Sequence, residues 1–421
     1  MLATILITVF LTFFVMVAAL NLSSGEKNIK FKISHLYPID SPDFTHTVGY
    51  LLGPSLVEGN KVEHLRNGVK IFPAMLDAIK SAQHSICFET YIYWSGEIGQ
   101  EFSKALAQKA REGVTVNVIL DAFGAGSLGD DIMQEMADAG VNMQLFHPVR
   151  WYTITKLNNR THRKLLIVDG KIGFTGGVGI ADVWEGDGHT TGNWVDSHFQ
   201  IEGPAVAQMQ ATFHDNWLKT RATVLHGHQY YPRLTKRGEC LAQVFKSSAD
   251  EGSDSVRLMY LLSISAATKY IYIANSYFVP DRLTIDMLID AKGRGVNIEI
   301  IVPGKHSDVK MVRHASKGIY GKLLKAGIKI YEFLPSMYHC KIMVVDDLWV
   351  SVGSTNFDSR SFRLNDEANL NVYDKPFAEA MKKQLEEDKK HTRLITLQNW
   401  KRRPLKQKII ENILLLFRAQ L

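Results

Sequence analysis

Two stretches of the chain carry the same pattern of histidine, lysine and aspartate, and this repeat constrains the fold more than any other feature. The first stretch is THRKLLIVDGKIGFTGGVGIA at residues 161–181, and the second is YHCKIMVVDDLWVSVGSTNFDS at residues 338–359. Both read H-x-K-x-x-x-x-D, followed by a turn of small residues. One constant offset aligns His162 with His339, Lys164 with Lys341, Asp169 with Asp346, and Gly176-Gly177 with Gly353-Ser354. The sequence therefore predicts a duplicated fold with one shared site.

The segments that precede the two motifs alternate helical and strand patterns in the same order. REGVTVNVIL in the first half corresponds to GRGVNIEIIV in the second, and ADAGVNMQLF corresponds to KAGIKIYEF. Alternating helices and strands are typical of α/β folds in which helices cover a mixed sheet. We therefore predict two tandem α/β/α sandwich repeats, related by a pseudo-two-fold axis, in halves that span residues 48–234 and 235–421.

The amino terminus has the composition of a membrane span. The first twenty residues, MLATILITVFLTFFVMVAAL, contain no charge and are long enough for a helix to cross a hydrocarbon core of about 30 Å. We predict a transmembrane anchor at residues 1–22 and a proline-bearing linker at residues 23–47, with a cleaved signal peptide as the alternative. Lysines appear only after the span, which predicts a single-pass protein of the inner membrane with a cytoplasmic catalytic domain.

Charge and cysteine content restrict the partners only slightly. The net charge of +6 and the pI of about 8.9 suit an anionic membrane surface or a phosphate-bearing substrate. Cys87, Cys240 and Cys340 are too few and too scattered for a disulfide framework or a zinc site.

Near the carboxyl end, the basic segment WKRRPLKQK precedes IIENILLLF, a composition that suits either an interfacial segment on anionic lipid or a helix packed on the core.

The motif residues suit phosphoryl chemistry if the two copies meet. Residues two apart on a strand point to the same face, so His162 and Lys164 project together, as do His339 and Lys341. Two lysines at close range repel each other unless an anion lies between them, and a phosphodiester supplies that charge. One imidazole could then attack phosphorus while the other protonates the leaving oxygen. The lysines can stabilise the developing charge, so neither a metal nor another cofactor is required.

Other interpretations of the motif are weaker. One H-x-K could be the exposed end of a strand, but two matched copies argue against this. A dinuclear metal site would need carboxylates and a second histidine at that spacing. Asp169 and Asp346 are grouped with the catalytic residues because they belong to the motif, and we expect them to shape turns rather than to carry protons.

Each histidine needs a partner on its other ring nitrogen to fix the tautomer. The segment NWVDSHFQI aligns with LNDEANLNV, so that Asp196 matches Glu367, and we predict these carboxylates as the orienting groups. Either could instead be a surface charge at the start of a strand. Gly177, Ser354 and the side chain of Asn356 are predicted to contact phosphate oxygens.

At these residues the sequence resembles the phospholipase D superfamily, whose hallmark is a pair of HxKxxxxD motifs, and it looks most similar to bacterial cardiolipin synthases. The phrases that carry the resemblance include HRKLLIVDGKIGFTGGVGIAD, WVDSHFQIEGPAV, NSYFVPD and VGSTNFDSRSFRLNDE. The resemblance implies phosphatidyl transfer between two phosphatidylglycerol molecules, which gives cardiolipin and glycerol. His162 would be the nucleophile that forms a phosphohistidine and His339 the acid, with the reverse assignment open. Gly179 stands where the family usually has asparagine, which implies fewer phosphate donors in the first half.

Two other activities use the same motifs. A hydrolase would release phosphatidic acid with water as the acceptor. A nuclease would need aromatic residues that stack on bases, for which the candidates are Trp151, Tyr152, Trp184, Trp194 and Tyr338. The apolar amino terminus favours a lipid substrate, so we do not expect nucleic acid as a partner. The intact motifs argue against an inactive scaffold. The sequence carries no information on the oligomeric state.

Overall fold

The computed structural model describes residues 1–22, 29–148, 159–248, 255–418 and 420, with only the backbone for residues 17–22. Trp151, Tyr152 and the part of the predicted linker at residues 23–28 lie outside the described residues.

Helices and strands alternate along the described chain. The helices are α1 (Leu2–Leu22), α2 (Pro42–Leu52), α3 (Gly68–Ser81), α4 (Glu97–Arg111), α5 (Asp130–Asp138), α6 (Val206–Arg221), α7 (Ser255–Ala266), α8 (Arg282–Gly293), α9 (Lys310–Lys325), α10 (Ser359–Arg363), α11 (Lys375–Lys389), α12 (Leu397–Lys401) and α13 (Leu405–Leu416). The strands are β1 (Val57–Arg66), β2 (Ser85–Thr90), β3 (Thr115–Asp121), β4 (Asn142–Phe146), β5 (Arg160–Thr161), β6 (Leu165–Val168), β7 (Ile172–Gly176), β8 (Ser197–Glu202), β9 (Cys240–Ser247), β10 (Tyr270–Asn275), β11 (Phe278–Val279), β12 (Asn297–Pro303), β13 (Lys329–Phe333), β14 (Lys341–Val345), β15 (Trp349–Gly353), β16 (Phe357–Asp358), β17 (Asn365–Tyr373) and β18 (Thr392–Ile395).

One continuous mixed sheet runs through both halves of the chain. Its strand order is β18-β13-β12-β10-β14-β15-β17-β9-β1-β8-β7-β6-β2-β3-β4, and β5 adds to β17. The centre of the sheet is the antiparallel pair β1 and β9. Outward from this pair, β17, β15, β14, β10, β12 and β13 on one side correspond to β8, β7, β6, β2, β3 and β4 on the other. The predicted mixed α/β fold with two tandem repeats is confirmed.

The strands that follow the two histidines are apolar on both faces because helices cover both sides of the sheet. In β6, Leu165 and Ile167 enter a core beside α6 and α11. Leu166 and Val168 enter a separate core beside α3 and α4. The equivalent strand β14 divides its side chains in the same way between two cores. This burial anchors each motif firmly in the sheet.

The core beside α6 and α11 contains side chains from both repeats. Phe199 of the first repeat meets Phe377 of the second, with ring centroids 6.2 Å apart. Full burial of a phenylalanine is worth roughly 1.5–3 kcal/mol, so the contact contributes substantially. The repeats are therefore held together by shared packing as well as by the β1–β9 pair.

The segment predicted as a linker instead folds onto the second repeat. The Ser41 side chain caps α2, and Pro42 occupies its first turn, where the missing N–H costs nothing. Phe44 and Val48 are fully buried, and the Phe44 ring meets Trp349 edge-on at 5.0 Å. The prolines that suggested a linker therefore mark the start of a docked helix.

Helix α1 covers most of the stretch predicted to cross the membrane. Its residues from Leu2 to Met16 are exposed. Among the residues that the structure describes, however, no helix has both the length and the apolar character needed to span a bilayer. The structure therefore does not confirm the predicted span at residues 1–22.

The aspartates of the two motifs hold turns rather than line the cavity that contains the histidines. Asp169 lies after β6 in the left-handed region, with φ of 51°, and Asp346 lies after β14 with φ of 52°. The Asp169 carboxylate accepts the backbone N–H groups of residues 83–85 at 2.7–2.9 Å. The Asp346 carboxylate accepts those of residues 268–270 at 2.7–2.9 Å. The two aspartates thus fix the starts of β2 and β10, and we assign them a structural role.

We expect Asp346→Gly to lower the free energy of unfolding by about 3 kcal/mol, because the buried N–H of Tyr270 and the part-buried N–H groups of Thr268 and Lys269 lose their acceptor, at about 1–3 kcal/mol for an unsatisfied group. Glycine keeps the left-handed turn accessible, so the loss isolates the hydrogen bonds. Chemical denaturation measures the effect. Asp77→Ala, an exposed carboxylate on α3, is the control and should change stability by less than about 0.5 kcal/mol. Equal stability of the two variants would contradict the structural role.

Candidate active site

Two matching backbone hydrogen bonds position the histidines. The His162 N–H donates to the carbonyl oxygen of Asp366 at 2.8 Å, and the His339 N–H donates to that of Val195 at 2.7 Å. Each acceptor comes from the opposite repeat and directly precedes one of the two predicted orienting carboxylates. In the first repeat this contact continues the pairing of β5 with β17, and in the second it lies beside the bridge between Val195 and Tyr338. The histidines therefore lie just before β6 and β14, and not within the strands as predicted.

The side chains of the two repeats pair crosswise. His162 Nδ1 lies 3.0 Å from both carboxylate oxygens of Glu367, and His339 Nδ1 lies 2.7 Å from Asp196 Oδ2. A carboxylate can only accept, so each Nδ1 carries the hydrogen and each Nε2 keeps its lone pair. The sequence predicted both carboxylates, but not that each one serves the histidine of the other repeat.

The two motif lysines are almost completely buried beside the histidines, each about 3% exposed. Lys164 Nζ donates to the His162 carbonyl at 2.8 Å and lies 5.5 Å from the centre of the Tyr91 ring. Lys341 Nζ donates to the His339 carbonyl at 2.7 Å. Burial lowers the pKa of Lys164 to about 7 and also lowers the pKa of Lys341. The site therefore presents two desolvated ammonium groups, which an anion would stabilise.

Both imidazoles have pKa values below the ordinary range. Burial lowers the pKa of His162 to about 4, although Glu367 opposes the shift. Burial and the nearby Lys341 lower the pKa of His339, and Asp196 opposes them. At neutral pH the unliganded site therefore holds a neutral His162, the form needed in a nucleophile. An anion bound beside the lysines would raise the pKa of either imidazole.

The two orienting carboxylates are held by different donors. Asp196 Oδ2 also accepts the indole N–H of Trp184 at 3.0 Å, and Oδ1 accepts the Ser197 N–H at 2.8 Å. Glu367 accepts the hydroxyl of Ser354. Burial raises the pKa of both carboxyls, but the adjacent histidines and lysines outweigh it and lower the pKa values overall. Both carboxylates are therefore ionised at neutral pH.

The predicted phosphate-binding residues divide into two groups. A Cβ atom on Gly177 would lie 2.3 Å from Asp196 Oδ1, so this glycine makes room for the carboxylate. The Ser354 hydroxyl is engaged with Glu367, as described above. Gly177 and Ser354 therefore support the carboxylates, and their contact with phosphate stays a prediction. Asn356 is the one of the three that lines the cavity between the histidines.

The second motif has an asparagine, Asn356, at the position where the first motif has Gly179. Asn356 Oδ1 accepts the hydroxyl of Ser276, whose oxygen accepts Lys341 Nζ at 2.8 Å. At the matching position, a Cβ on Gly179 would lie 2.7 Å from the side chain of Ile92, so only glycine fits. The first repeat therefore lacks the asparagine–serine pair, and its lysine lies beside the Tyr91 ring instead.

Both histidines open into a cavity of about 400 Å³. One part of its wall is aromatic, and another carries charged side chains that the sequence analysis did not single out. No spacing pattern marks these charged residues, because they come from three separate segments of the chain. The aromatic residues are Tyr91, Trp94, Trp184, Trp194 and Tyr277, and the charged residues besides the motifs are Arg160, Arg360, Asp308 and Asp358. Tyr338 lies outside the cavity and donates to Asp388 at 2.7 Å.

A duplicated α/β fold that brings two HxKxxxxD motifs to one cavity defines the chain as a protein of the phospholipase D class. The family described as "Cardiolipin synthase, PLD-like domain" matches residues 75–217 and 260–389. Cardiolipin synthase 1 of Bacillus cereus is 36% identical over 360 residues, which cover 83% of this chain and 70% of that protein. The cardiolipin synthase of Geobacillus kaustophilus is 34% identical, with 83% and 70% covered. The chain belongs to the cardiolipin synthase family with phospholipase D-like domains.

Solved structures of distant proteins share the fold. The phosphatidylserine synthase of Haemophilus influenzae superimposes with a TM-score of 0.70 at 15% identity, over 90% of this chain and all of that one. The polyphosphate kinase of Porphyromonas gingivalis gives a TM-score of 0.53 at 12% identity, over 94% of this chain and 57% of that one. At such identities the likeness concerns the fold alone.

The crossed pairing predicts which histidine responds to which carboxylate. We expect Glu367→Gln to lower the pKa of His162 further, because the imidazolium loses its negative partner, and to leave the pKa of His339 nearly unchanged. Asp196→Asn should lower the pKa of His339 and leave the pKa of His162 nearly unchanged. Titration of ¹⁵N-labelled histidine side chains by NMR, within the pH range where the fold persists, measures both. A shift of the histidine in the same repeat as the substituted carboxylate would refute the crossed arrangement.

Proposed function

We propose that the protein is a phosphatidyltransferase that makes cardiolipin and glycerol from two phosphatidylglycerol molecules through a phosphohistidine. The observation that carries the proposal is the crossed pair of histidines, each with an ionised carboxylate on Nδ1 and a buried lysine beside it. The choice of substrate is supported by relatives named cardiolipin synthase, which are 34–36% identical over most of the chain.

In the first step, the phosphodiester of one phosphatidylglycerol lies between Lys164 and Lys341. His162 Nε2 attacks phosphorus and forms a P–N bond, while the P–O bond to glycerol breaks. His339 donates a proton to the departing glycerol oxygen, and its own pKa is raised for this purpose by the bound anion. Glu367 stabilises the positive charge that develops on His162, and the two ammonium groups stabilise the negative charge on the phosphoryl oxygens.

In the second step, glycerol leaves and the headgroup of a second phosphatidylglycerol takes its place. His339, now neutral, removes the proton from the terminal hydroxyl, and the oxygen attacks phosphorus. The P–N bond breaks, which returns His162 to its neutral form and releases cardiolipin. The aromatic wall of the cavity supports a lipid acceptor over water, because it offers apolar surface to the apolar part of a lipid. The reversed assignment of the two histidines would use the same steps.

Incubation of the purified protein with phosphatidylglycerol tests the reaction directly. We expect cardiolipin and glycerol in equal amounts by mass spectrometry, and a loss of about 10³-fold or more in rate for both His162→Ala and His339→Ala, because each variant lacks a group that forms or breaks a bond. With phosphatidylglycerol labelled with ³²P in its phosphate, His339→Ala should accumulate labelled protein, and His162→Ala should not. His226→Ala, which removes an exposed histidine outside the cavity, is the control and should keep its activity. Phosphatidic acid as the sole product, or turnover in both motif variants, would overturn the proposal.

We also propose that the two halves, residues 48–234 and 235–421, are related by a pseudo-two-fold axis between β1 and β9. The mirrored strand order around this pair supports the axis. The crossed histidine–carboxylate contacts follow the same symmetry. The catalytic cavity would then lie on the axis, where equivalent residues of the two halves meet.

For localisation, we propose a cell-membrane enzyme whose residues 1–22 act as a single-pass anchor, with the catalytic domain in the cytoplasm next to an anionic membrane surface. An uncharged stretch followed by lysines supports this arrangement. The exposed apolar side chains of α1 also support it.

Removal of residues 1–22 should move the protein from the membrane fraction to a salt-extractable or soluble fraction, because the apolar anchor is lost. Immunoblotting of fractions from cells that express each form measures the change. A reporter fused after Leu421 checks the orientation and should be active in the cytoplasm. Retention of the truncated protein in alkali-washed membranes would contradict the anchor, and a reporter active only outside the cytoplasm would contradict the orientation.

A further inference from the structure

A second cavity, of about 410 Å³, lies apart from the catalytic cavity. It is bordered by residues 29–32, by the start of α8, by α10 and by the chain just after α13. The two cavities share no lining residue in the described part of the chain. The two cavities are nevertheless neighbours, because the short helix α10 contributes to both. Arg360 lines the catalytic cavity, and Ser359 and Arg363 line the second one.

The lining of this second cavity is strongly basic, with six lysines or arginines against two aspartates. Three of the basic residues have carboxylate partners that account for both aspartates. Arg257 Nε lies 2.6 Å from Asp281, Arg282 Nε lies 3.9 Å from Asp286, and Lys32 Nζ lies 2.7 Å from Asp290. Among the lining residues that the structure describes, no carboxylate is left to neutralise the others.

Lys30, Arg363 and Arg418 are the remaining three basic residues. Within the residues that the structure describes, none of their side chains forms an ion pair or a hydrogen bond. Arg363 Nη2 is moreover inaccessible to solvent and meets no acceptor among the described residues. A buried guanidinium nitrogen without an acceptor is costly, and three unpaired cations around one cavity repel each other. A phosphate group in the cavity would offset the repulsion between the three cations, and arginine matches phosphate geometry.

Large apolar side chains adjoin the unpaired cations. Phe31, between Lys30 and Lys32, is 84% exposed, and Leu416 and Phe417, just before Arg418, are 80% and 57% exposed. A basic cavity whose lining residues have exposed apolar neighbours in the chain suits a ligand with an anionic head and apolar chains. The uncharged helix α1 also ends shortly before Ile29, which brings this cavity close along the chain to the segment proposed as the anchor.

We propose that this second cavity binds the phosphate-bearing headgroup of an anionic phospholipid, with the acyl chains against Phe31, Leu416 and Phe417. The site does not depend on the proposed reaction, because no histidine or lysine of the motifs takes part. It gives the enzyme a lipid contact that is separate from its substrate cavity.

The test uses the full-length protein in phosphatidylcholine nanodiscs that contain a trace of phosphatidylglycerol with a photoreactive acyl chain. We expect crosslinks on peptides that contain residues 29–32 and 416–418, and few such crosslinks from the same probe built on phosphatidylcholine. The triple variant Lys30→Gln, Arg363→Gln, Arg418→Gln should reduce these crosslinks about tenfold or more, since each basic residue at an anionic lipid surface contributes about fivefold. The matched control replaces three exposed lysines, in Lys70→Gln, Lys104→Gln, Lys171→Gln, and should label normally.

Further arms separate the possible outcomes. Arg418→Gln alone, near the end of the chain, should reduce labelling about fivefold and keeps the test valid if the triple variant does not fold. Millimolar glycerol 3-phosphate should not compete; full competition would mean that the ligand is a free phosphate ester and would overturn the lipid assignment. Equal labelling of the triple variant and its control would overturn the site. Cardiolipin formation, measured in parallel, distinguishes a failed reaction from a failed site.

Discussion

The exchange of carboxylates between the two repeats is the interaction on which the rest of the site depends. A histidine of one repeat has a correctly protonated ring only while the carboxylate of the other repeat lies on its Nδ1. The backbone enforces this geometry, because each histidine N–H is bonded to the residue before that carboxylate. The paired central strands and the shared core beside α6 and α11 keep the repeats in the required register. One repeat alone would therefore hold neither a complete site nor an oriented histidine.

The duplication is not symmetric in detail, and the differences follow from packing. The position that holds Ser354 in the second repeat holds Gly177 in the first, where a side chain would collide with Asp196. The indole of Trp184 supplies the missing donor to that carboxylate. The second difference is at Gly179, where Ile92 occupies the space of an amide side chain. The two lysines consequently have different surroundings, which gives a physical basis for different roles of the two histidines.

The sequence predicted the parts of this structure that depend on local pattern or on repetition. Apolar strands, intervening helices and the two motifs could all be located, and the alignment of the repeats found Asp196 and Glu367 as a pair. The crossing of these pairs could not be predicted. An alignment of the two repeats shows which residues are equivalent, but not whether a histidine contacts the carboxylate of its own repeat or that of the other repeat. The docked helix α2 was missed for another reason: a helix of this length that opens with proline resembles a linker until its burial is known. Trp184 was named among the aromatic candidates, but its hydrogen bond to Asp196, like the position of the cavity arginines, depends on tertiary packing that leaves no periodic signal.

Burial explains why the site needs its substrate. Two ammonium groups removed from water are costly, and the carboxylates on the far side of the histidines offset only part of this cost. The part of this cost that is not offset lowers the pKa of Lys164 to about 7. A phosphodiester between the lysines stabilises their charged form and raises the proton affinity of both imidazoles, so that binding itself prepares the acid for the leaving group. The crossed carboxylates set the tautomer before the substrate arrives, and the substrate then sets the protonation state. The same low-dielectric cavity that makes the empty site unfavourable thereby makes the charged transition state favourable.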